Sequence, residues 1–588
     1  MEAKEIRKKF LDFFEKRGHK IVPSSSLIPD DPSVLLTTAG MQQFKPYYTG
    51  KADAMKNFGS LNTASVQKSF RTSDIDEVGD ESHLTFFEML GNFSFGGYWK
   101  EDAIKYGHEF IVKEMGLEID YVSIFGGEGE IPADDESEKI WKSIDSKIKI
   151  KKFGKSDNFW GPTGNEGPCG PTTEIYVNGV EIWNIVFNQY YYTKQEKVLD
   201  SKNNKHAVLE LLKPLPTQGI DTGMGLERLV MVLQKKKNIF ETDLFAPLFE
   251  LLPKDIHERE KRIIIDHTRG AVFLLADGVR PSNKDRGYIL RRLMRRVFVY
   301  ESQSGIPAHV IDAIVHDIVH EYGEFYPELL SQNNAIREEF SREREKFSKT
   351  LARGLKELEK ISDINSASAF KLYETYGIPY EVIKEFGGER AKNLTRGGFD
   401  EEFKKHQEVS RAGADAKFGG HGLYLKTGEV TIRDESEVER VTRLHTATHL
   451  LHAGLRAILG PEVQQDGSDI TVERTRFDFK FSRKVISEEL SKVEEWVNGT
   501  IKKNLSVKSE EMSYEDAVKD GALGFFREKY PPRVSVYTVL DPKTGEVFSK
   551  ELCGGPHVAH TSEIGHFKIL KEESSSAGVR RIRAVLDK

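Results

Sequence analysis

Residues 71–74 read RTSD and residues 83–96 read HLTFFEMLGNFSFG, and how these two runs fold decides the first half of the chain. The pattern is an arginine on one strand, a polar loop, and an aromatic-rich return strand, the residue types that favour a pleated, half-buried surface. A guanidinium is always charged and grips phosphate or carboxylate through a planar fork, so the pair is able to clamp a nucleotide. The same residues also make an ordinary hairpin with a surface arginine. Read alone, the stretch leaves both open.

Two further runs lie in the same half. Pro23 to Pro29 (PSSSLIP) and Thr38 to Phe44 (TAGMQQF) read as a turn followed by a helix. Residues 221–229 read DTGMGLERL; Gly223 and Gly225 permit close backbone approach to a ligand, and Arg228 opens an apolar helical stretch. A bare Gly-x-Gly is common and says little by itself. Around these runs, residues 1–238 are rich in Gly, Pro and aromatics with many short apolar segments, the mix of a strand-rich α/β domain with tight turns. From about 256 to 362 helical periodicity takes over, and the charge-dense stretch Ser341 to Ile361 reads as an exposed helix. Residues 396–440 are polar, with Gly-Gly at 397–398 and 419–420, and read as a linker. A helix over Val441–Leu455, then alternating runs at Thr475–Phe481 and Val534–Val539, predict a compact α+β domain over 441–588.

The bulk composition narrows the class without naming a partner. At 588 residues the chain has room for several cores. No apolar run reaches the ~18 residues that span a bilayer. Met1 to Arg17 mixes charges with Phe10, Phe13 and Phe14 and lacks the apolar block of a signal peptide. With only Cys169 and Cys553 there is no disulfide framework, and a reducing, cytoplasmic setting is the simpler expectation. A net charge of −7 does not announce a nucleic-acid binder, although phosphate contacts need only a local basic face.

Two clusters stand out downstream. Arg291, Arg292, Arg295 and Arg296 fall within about 140° of a helical wheel, opposite Leu290, Leu293, Met294 and Val297; this is either a solvated face or a phosphate-binding one. His445 and His449 sit at i and i+4, on one face of a helix. Far away lies Cys553–Gly554–Gly555–Pro556–His557. Two His, a thiolate and a third His make a four-ligand set suited to zinc, with His452 and His560 as nearby alternatives.

In their order, the three runs of the first half resemble the signature motifs of the class II aminoacyl-tRNA synthetases. TFFEMLGNFSFG, NFW…TGNEGPCGPTTEI, EIWNIVFNQY, DTGMGLERL and DHTRGAVFLLADGVRPSNKDRGYILRRLMRR from Asp266 are similar, almost letter for letter, to the alanine-specific branch of that family. The resemblance is collinear over nearly the whole chain. It implies an α+β multidomain fold: an antiparallel-sheet catalytic domain (1–238), a helical domain that recognises the tRNA acceptor stem (239–395), a reduced linker (396–440), and a zinc-containing α+β editing domain (441–588). The implied activity is ATP-driven ligation of L-alanine to tRNA(Ala), with hydrolysis of tRNA(Ala) mischarged with serine or glycine.

The implied roles follow the matching positions. Arg71 and His83 contact ATP, Arg71 at the α-phosphate and with Mg²⁺ nearby. Trp160, Ile182, Trp183 and Asn184 line the adenylate pocket. Trp160, Asn184 and Asp221 hold alanine, Asp221 through its ammonium group. Gly225 packs beside the nucleotide and Arg228 reaches the triphosphate. Asn283 reads a base of the acceptor stem while Arg291, Arg292, Arg295 and Arg296 take phosphates. His445, His449, Cys553 and His557 hold one Zn²⁺. Editing has a physical motive, because one methylene separates glycine from alanine by only ~1–3 kcal/mol of pocket energy.

The sequence departs from the family in three places. The segment before His445 is short where relatives insert a β-barrel subdomain, which sets a working editing site against a module that only grips tRNA. The chain stops after Val579–Arg580–Arg581–Ile582 and a few more residues, as in a shortened form without the C-terminal extension, expected to act as a monomer. Pro556 stands where threonine is usual. A non-catalytic tRNA-binding descendant should have lost Arg71, Asp221 or Arg228, and all three are present.

Overall fold

The runs at 71 and 83 form the connection and return strand of a hairpin near one edge of a nine-stranded sheet. The computed structural model describes residues 1–31, 34–161, 166–200, 205–417, 437–524, 533–576 and 578–587. It falls into two compact units, Met1–Asp400 and Glu401–Lys588. The strands of the first unit are β1 (Lys20–Ile21), β2 (Asn62–Phe70), β3 (Phe86–Ser94), β4 (Tyr121–Phe125), β5 (Ile150–Phe153), β6 (Phe159–Trp160), β7 (Glu166–Val177), β8 (Val180–Asp200) and β9 (Lys205–Gly225). They run in the order β1-β2-β3-β9-β8-β7-β4-β5, with β6 against β7. Pairing is antiparallel except at β1/β2 and β4/β5.

Period-two alternation divides the side chains of the central strands between two faces. On β3, Phe87 and Met89 turn to an open cavity while Glu88 between them is buried on the other side. On β8, Ile182, Asn184 and Val186 face the cavity. Trp183 points the opposite way and packs against Phe10, Phe14 and Phe110. Its indole is therefore not part of the pocket that the resemblance implied. The covering helix Ala3–Glu15 buries Ile6, Phe10, Phe13 and Phe14 at helical spacing, each phenylalanine contributing ~1.5–3 kcal/mol by leaving water.

Charge is buried on that same covered side. Arg7 clasps Glu88 with Nε to Oε1 at 2.8 Å and Nη2 to Oε2 at 2.5 Å. Tyr326 donates to Glu88 at 2.8 Å. Arg269 donates to Glu227 and lies 4.0 Å from Glu88. Two guanidinia and two carboxylates thus tie together the N-terminal helix, β3, the helix Leu226–Leu233 and the helix Glu258–Ala276.

The helices after residue 257 correct two expectations. Asn333–Lys360 is one long helix that buries Phe340, Glu343, Phe347, Leu351 and Leu358, so Ser341–Ile361 is amphipathic and only its other faces carry the exposed charge. On Asp285–Gln303 the four-arginine face splits. Arg292 is buried against Asp76 and Glu381. Arg296 is buried and donates to Ile75 O at 2.8 Å and to His267 Nε2 at 3.1 Å. Neither is presented to a phosphate, because acidic and carbonyl partners distant in sequence close over them. Arg295 is half-buried on Glu343 and Gly377 O, and Arg291 donates to Asn283 and Pro281 O. The stretch read as a linker opens as a helix, Arg396–Lys417; the second Gly-Gly pair lies outside the described residues.

In the second unit, the helices Val438–Leu459 and Ser487–Lys502 share a core with a sheet of order β10-β11-β16-β15. These strands are β10 (Gln464–Ile470), β11 (Thr475–Lys480), β15 (Phe567–Ser576) and β16 (Val579–Leu586). A second sheet joins β12 (Ser506–Ser513), β13 (Arg533–Leu540) and β14 (Val547–Leu552). No helix among the described residues is long and apolar enough to cross a membrane.

Removing one member of a buried charge network leaves its partner uncompensated, at a cost of about 3–5 kcal/mol. Arg269→Met is therefore expected to lower the melting temperature of the full chain by several degrees in calorimetry. Arg269→Lys should recover only part of the loss, since an ammonium cannot reproduce the planar fork.

Candidate functional site

The open face of the central sheet is hollowed by a cavity of about 580 Å³. Arg71 enters it directly from the end of β2, its backbone N–H bonded to Thr85 O at 2.9 Å. Its guanidinium lies 4.9 Å from the centre of the Phe87 ring. Among the described residues no carboxylate reaches ion-pair distance of it. Desolvation by the surrounding protein, with repulsion from Arg228 added, outweighs the longer-range attraction of Asp74 and Glu181 and pulls its pKa below the ordinary guanidinium value. An arginine in that condition is a receptor for an anion.

Arg228 stands on the first turn of Leu226–Leu233, where its Nη1 meets Glu181 Oε2 at 3.1 Å and Glu181 O at 3.2 Å. His83 is held by Asp80 at 2.5 Å and Glu77 at 3.0 Å. Its hydrogen bond to Asp80 raises its pKa and favours the imidazolium.

The opposite wall is of another character. Asp221 on β9 is only 5% exposed, and its carboxylate takes no hydrogen bond or ion pair among the described residues. Burial alone pushes its pKa from 3.8 to about 7. Asn184, Trp160 and Glu174 stand beside it in the cavity lining. A Cβ on Gly223 would meet the Met89 sulfur at 2.9 Å, so that glycine makes room for methionine in the floor. Of the residues singled out in the sequence, Arg71, His83, Trp160, Ile182, Asn184, Asp221, Gly225 and Arg228 are brought together here, and Trp183 is not. Sequence reasoning missed Glu174, Glu181 and Phe87.

A second cluster lies in the second unit. One ligand atom each from His445, His449, Cys553 and His557 lies within 4.8 Å of all the others. Cys553 Sγ is 3.3 Å from His445 Nε2 and 3.5 Å from His557 Nε2. His445 Nδ1 is 3.1 Å from Pro556 O, and His557 Nδ1 is 3.2 Å from Thr446 Oγ1. Both rings thereby present Nε2 to the centre. Burial, then repulsion from His449, drops His445 to about 3. Burial likewise lowers His449 and His557. Neutral imidazole is the form that binds metal. His452 is not in the cluster: its Nδ1 bonds Glu551 at 2.9 Å.

Residues 5–454 match the family model of the class II (A) tRNA synthetases, and residues 534–583 match the second additional domain of threonyl and alanyl tRNA synthetases. The alanine–tRNA ligase of Borrelia garinii subsp. bavariensis is 44% identical, with all of both chains covered. That of Treponema pallidum is 40% identical over all of this chain and 98% of its own.

The chain belongs to the alanine–tRNA ligase family.

The alanine–tRNA ligase of Dehalococcoides mccartyi, 35% identical, is covered over 79% of its length by 99% of this chain. The relatives thus include ligases matched over nearly all of both chains and a longer one. The match to the additional domain, found in alanine– and threonine–tRNA ligases, takes in Cys553 and His557, while the class II match ends within the helix that carries His445 and His449.

Because burial raises the Asp221 pKa from 3.8 to about 7, the folded state favours the protonated acid. The ligand-free protein therefore loses stability as pH rises from about 4 through 7 and carries the full penalty above that. Asp221→Asn is expected to stabilise it by about 1–3 kcal/mol at pH 8 and by nothing near pH 4. Thermal melts of both proteins across that range check the sign.

Proposed function

We propose that the first-unit cavity activates L-alanine with ATP and transfers it to the 3′ end of tRNA(Ala). The observation that carries this reading is the presence, in one cavity, of Arg71 with no carboxylate at ion-pair distance and a buried Asp221 with no hydrogen bond or ion pair, among the described residues. A zwitterion whose carboxylate attacks a phosphate needs that polarity: an acceptor for its ammonium at one wall and cations at the other. In the first step a carboxylate oxygen of alanine bonds to the α-phosphorus of ATP and the bond to pyrophosphate breaks. Negative charge grows on the α-phosphate, and Arg71 is placed to stabilise it without reorganisation. Arg228 and His83 would take the outer phosphates, and Mg²⁺ arrives with ATP as its counter-ion. No general base is required, since the attacking carboxylate is already ionised. In the second step a ribose hydroxyl of the tRNA attacks the activated carbonyl and AMP departs.

We assign residues 1–238 to this chemistry and residues 239–395 to the acceptor stem, with Asn283 reading a base and Arg291 steadying it. Residues 441–588 would clear mischarged seryl- and glycyl-tRNA(Ala). The His445, His449, Cys553 and His557 set fits Zn²⁺. Bonds of about 2.0–2.1 Å to nitrogen and 2.3 Å to sulfur separate tetrahedral neighbours by about 3.3–3.7 Å, and the two sulfur–nitrogen separations are 3.3 and 3.5 Å. Bound there, the ion supplies a Lewis acid or an anchor for the RNA end.

Pyrophosphate exchange tests the ligase reading. Alanine is expected to drive exchange strongly, with glycine and serine weaker, and Asp221→Ala to lose it by a factor of about 100 or more, as for an unpaired buried ammonium. No exchange with any amino acid from folded protein would overturn the reading. For the metal, about one zinc per chain is expected by elemental analysis. Cys553→Ser should lose most of it, and Co²⁺ in its place should show a thiolate charge-transfer band that the variant lacks.

A further inference from the structure

Glu174, a lining residue to which the sequence reading gave no role, is held by hydrogen bonds on both carboxylate oxygens. It stands opposite Asn184 across the β7/β8 pair. Its Oε1 accepts from Asn184 Nδ2 at 3.1 Å, and its Oε2 accepts from Ser123 Oγ at 2.9 Å and Tyr176 Oη at 2.8 Å. Asn158 Nδ2 donates in turn to Ser123 Oγ at 2.8 Å, which directs the serine proton toward Glu174. Burial raises the Glu174 pKa while the Tyr176 and Ser123 hydroxyls hold it down; as a carboxylate it is purely an acceptor and commits the NH₂ end of the Asn184 amide to itself. The other end, Oδ1, is buried and has no hydrogen-bond partner among the described residues. Asn184 lies opposite Gly223 and Asp221 lies opposite Val186, so Asn184 and Asp221 are diagonal neighbours on one sheet face, about 7–8 Å apart, and both line the cavity.

We propose that Glu174 is a positioning residue that fixes the Asn184 amide with its carbonyl oxygen toward the cavity, making with Asp221 a two-acceptor cradle for the amino group of the substrate. This rests on the amino-acid-activating reading of the cavity and deepens it. An ammonium group has three protons and satisfies both acceptors. The hydroxyl of the corresponding 2-hydroxy acid has one proton and leaves an acceptor buried and unpaired, so the cradle selects amino acids over hydroxy acids.

The test inverts the polarity of the amide. In Glu174→Gln the new NH₂ donates to Asn184 Oδ1, the Asn184 amide turns over, and Nδ2 confronts the ammonium. In alanine-dependent pyrophosphate exchange with the full chain, the alanine KM should rise about 10- to 100-fold. The ATP KM should stay within about twofold and kcat should fall by less than the KM rises. In Glu174→Gln/Asn184→Asp, one oxygen of the new carboxylate accepts from the introduced glutamine amide and the other is returned to the ammonium, so the alanine KM should move back toward wild type. An unchanged alanine KM in the single variant, or a double variant no better than the single, overturns the proposal. So does a uniform loss of kcat, ATP affinity and melting temperature, the mark of a merely structural glutamate. Should Glu174→Gln not fold, Asn184→Leu removes the same acceptor and must raise the alanine KM alone; no rise sinks the cradle. Wild type without alanine-dependent exchange defeats the underlying reading instead.

Discussion

The first unit depends on a buried exchange of charge among Arg7, Glu88, Arg269 and Glu227. The four groups are neutral as a set, and each side chain is almost fully withdrawn from water. Carboxylates in that position are tolerated only when paired and hydrogen-bonded, and Glu88 has both guanidinia and the Tyr326 hydroxyl around it. The pairs also set register. Glu88 lies between Phe87 and Met89, so anchoring it on the covered side of β3 obliges those two to face the cavity. Glu227 precedes Arg228, so anchoring it on Arg269 fixes the helix turn from which Arg228 enters the cavity. The network thus aims groups that it never touches.

The cavity inverts this logic. Behind the sheet the four charges of this network are paired, whereas in front of it, among the described residues, no carboxylate reaches ion-pair distance of Arg71 and no cation reaches Asp221. Both pKa values move toward the neutral form chiefly because protein has replaced water around a charge without replacing its solvation. In the proposed reaction substrate would complete both pairs at once, its phosphate for the arginine and its ammonium for the aspartate, and so relieve the desolvation that the empty site carries.

How much of this was legible in the sequence depended on the kind of contact involved. The motif runs hold Arg71, Asp221 and Arg228, which the fold brings to one cavity from the end of β2, from within β9 and from the first turn of the helix Leu226–Leu233. Trp183 and Asn184 are adjacent, and only strand alternation separates a core residue from a lining one. The four arginines near residue 293 defeated the helical wheel. A wheel gives their mutual angles and is blind to Asp76 and Glu381, which arrive from more than 80 positions away. Glu174 lies inside the quoted run GPCGPTTEI but drew no role of its own, since a glutamate in a strand reads as surface until its three donors are seen. The His and Cys set was legible because few residue types bind zinc and their spacing on a helix is rigid.

The geometry of the candidate metal cluster is also compatible with Pro556, where the resemblance led to an expectation of threonine. Proline in place of threonine removes a hydroxyl and a backbone N–H, yet what the centre takes from position 556 is a carbonyl oxygen, 3.1 Å from His445 Nδ1. Proline keeps that acceptor and restricts the backbone that carries it. The tighter constraint falls one residue earlier: a Cβ on Gly555 would lie 2.3 Å from His445 Cε1. A ring held by a main-chain carbonyl on one side and by a missing side chain on the other is oriented by backbone geometry, and geometry of that kind is indifferent to the residue at 556 while excluding every side chain at 555.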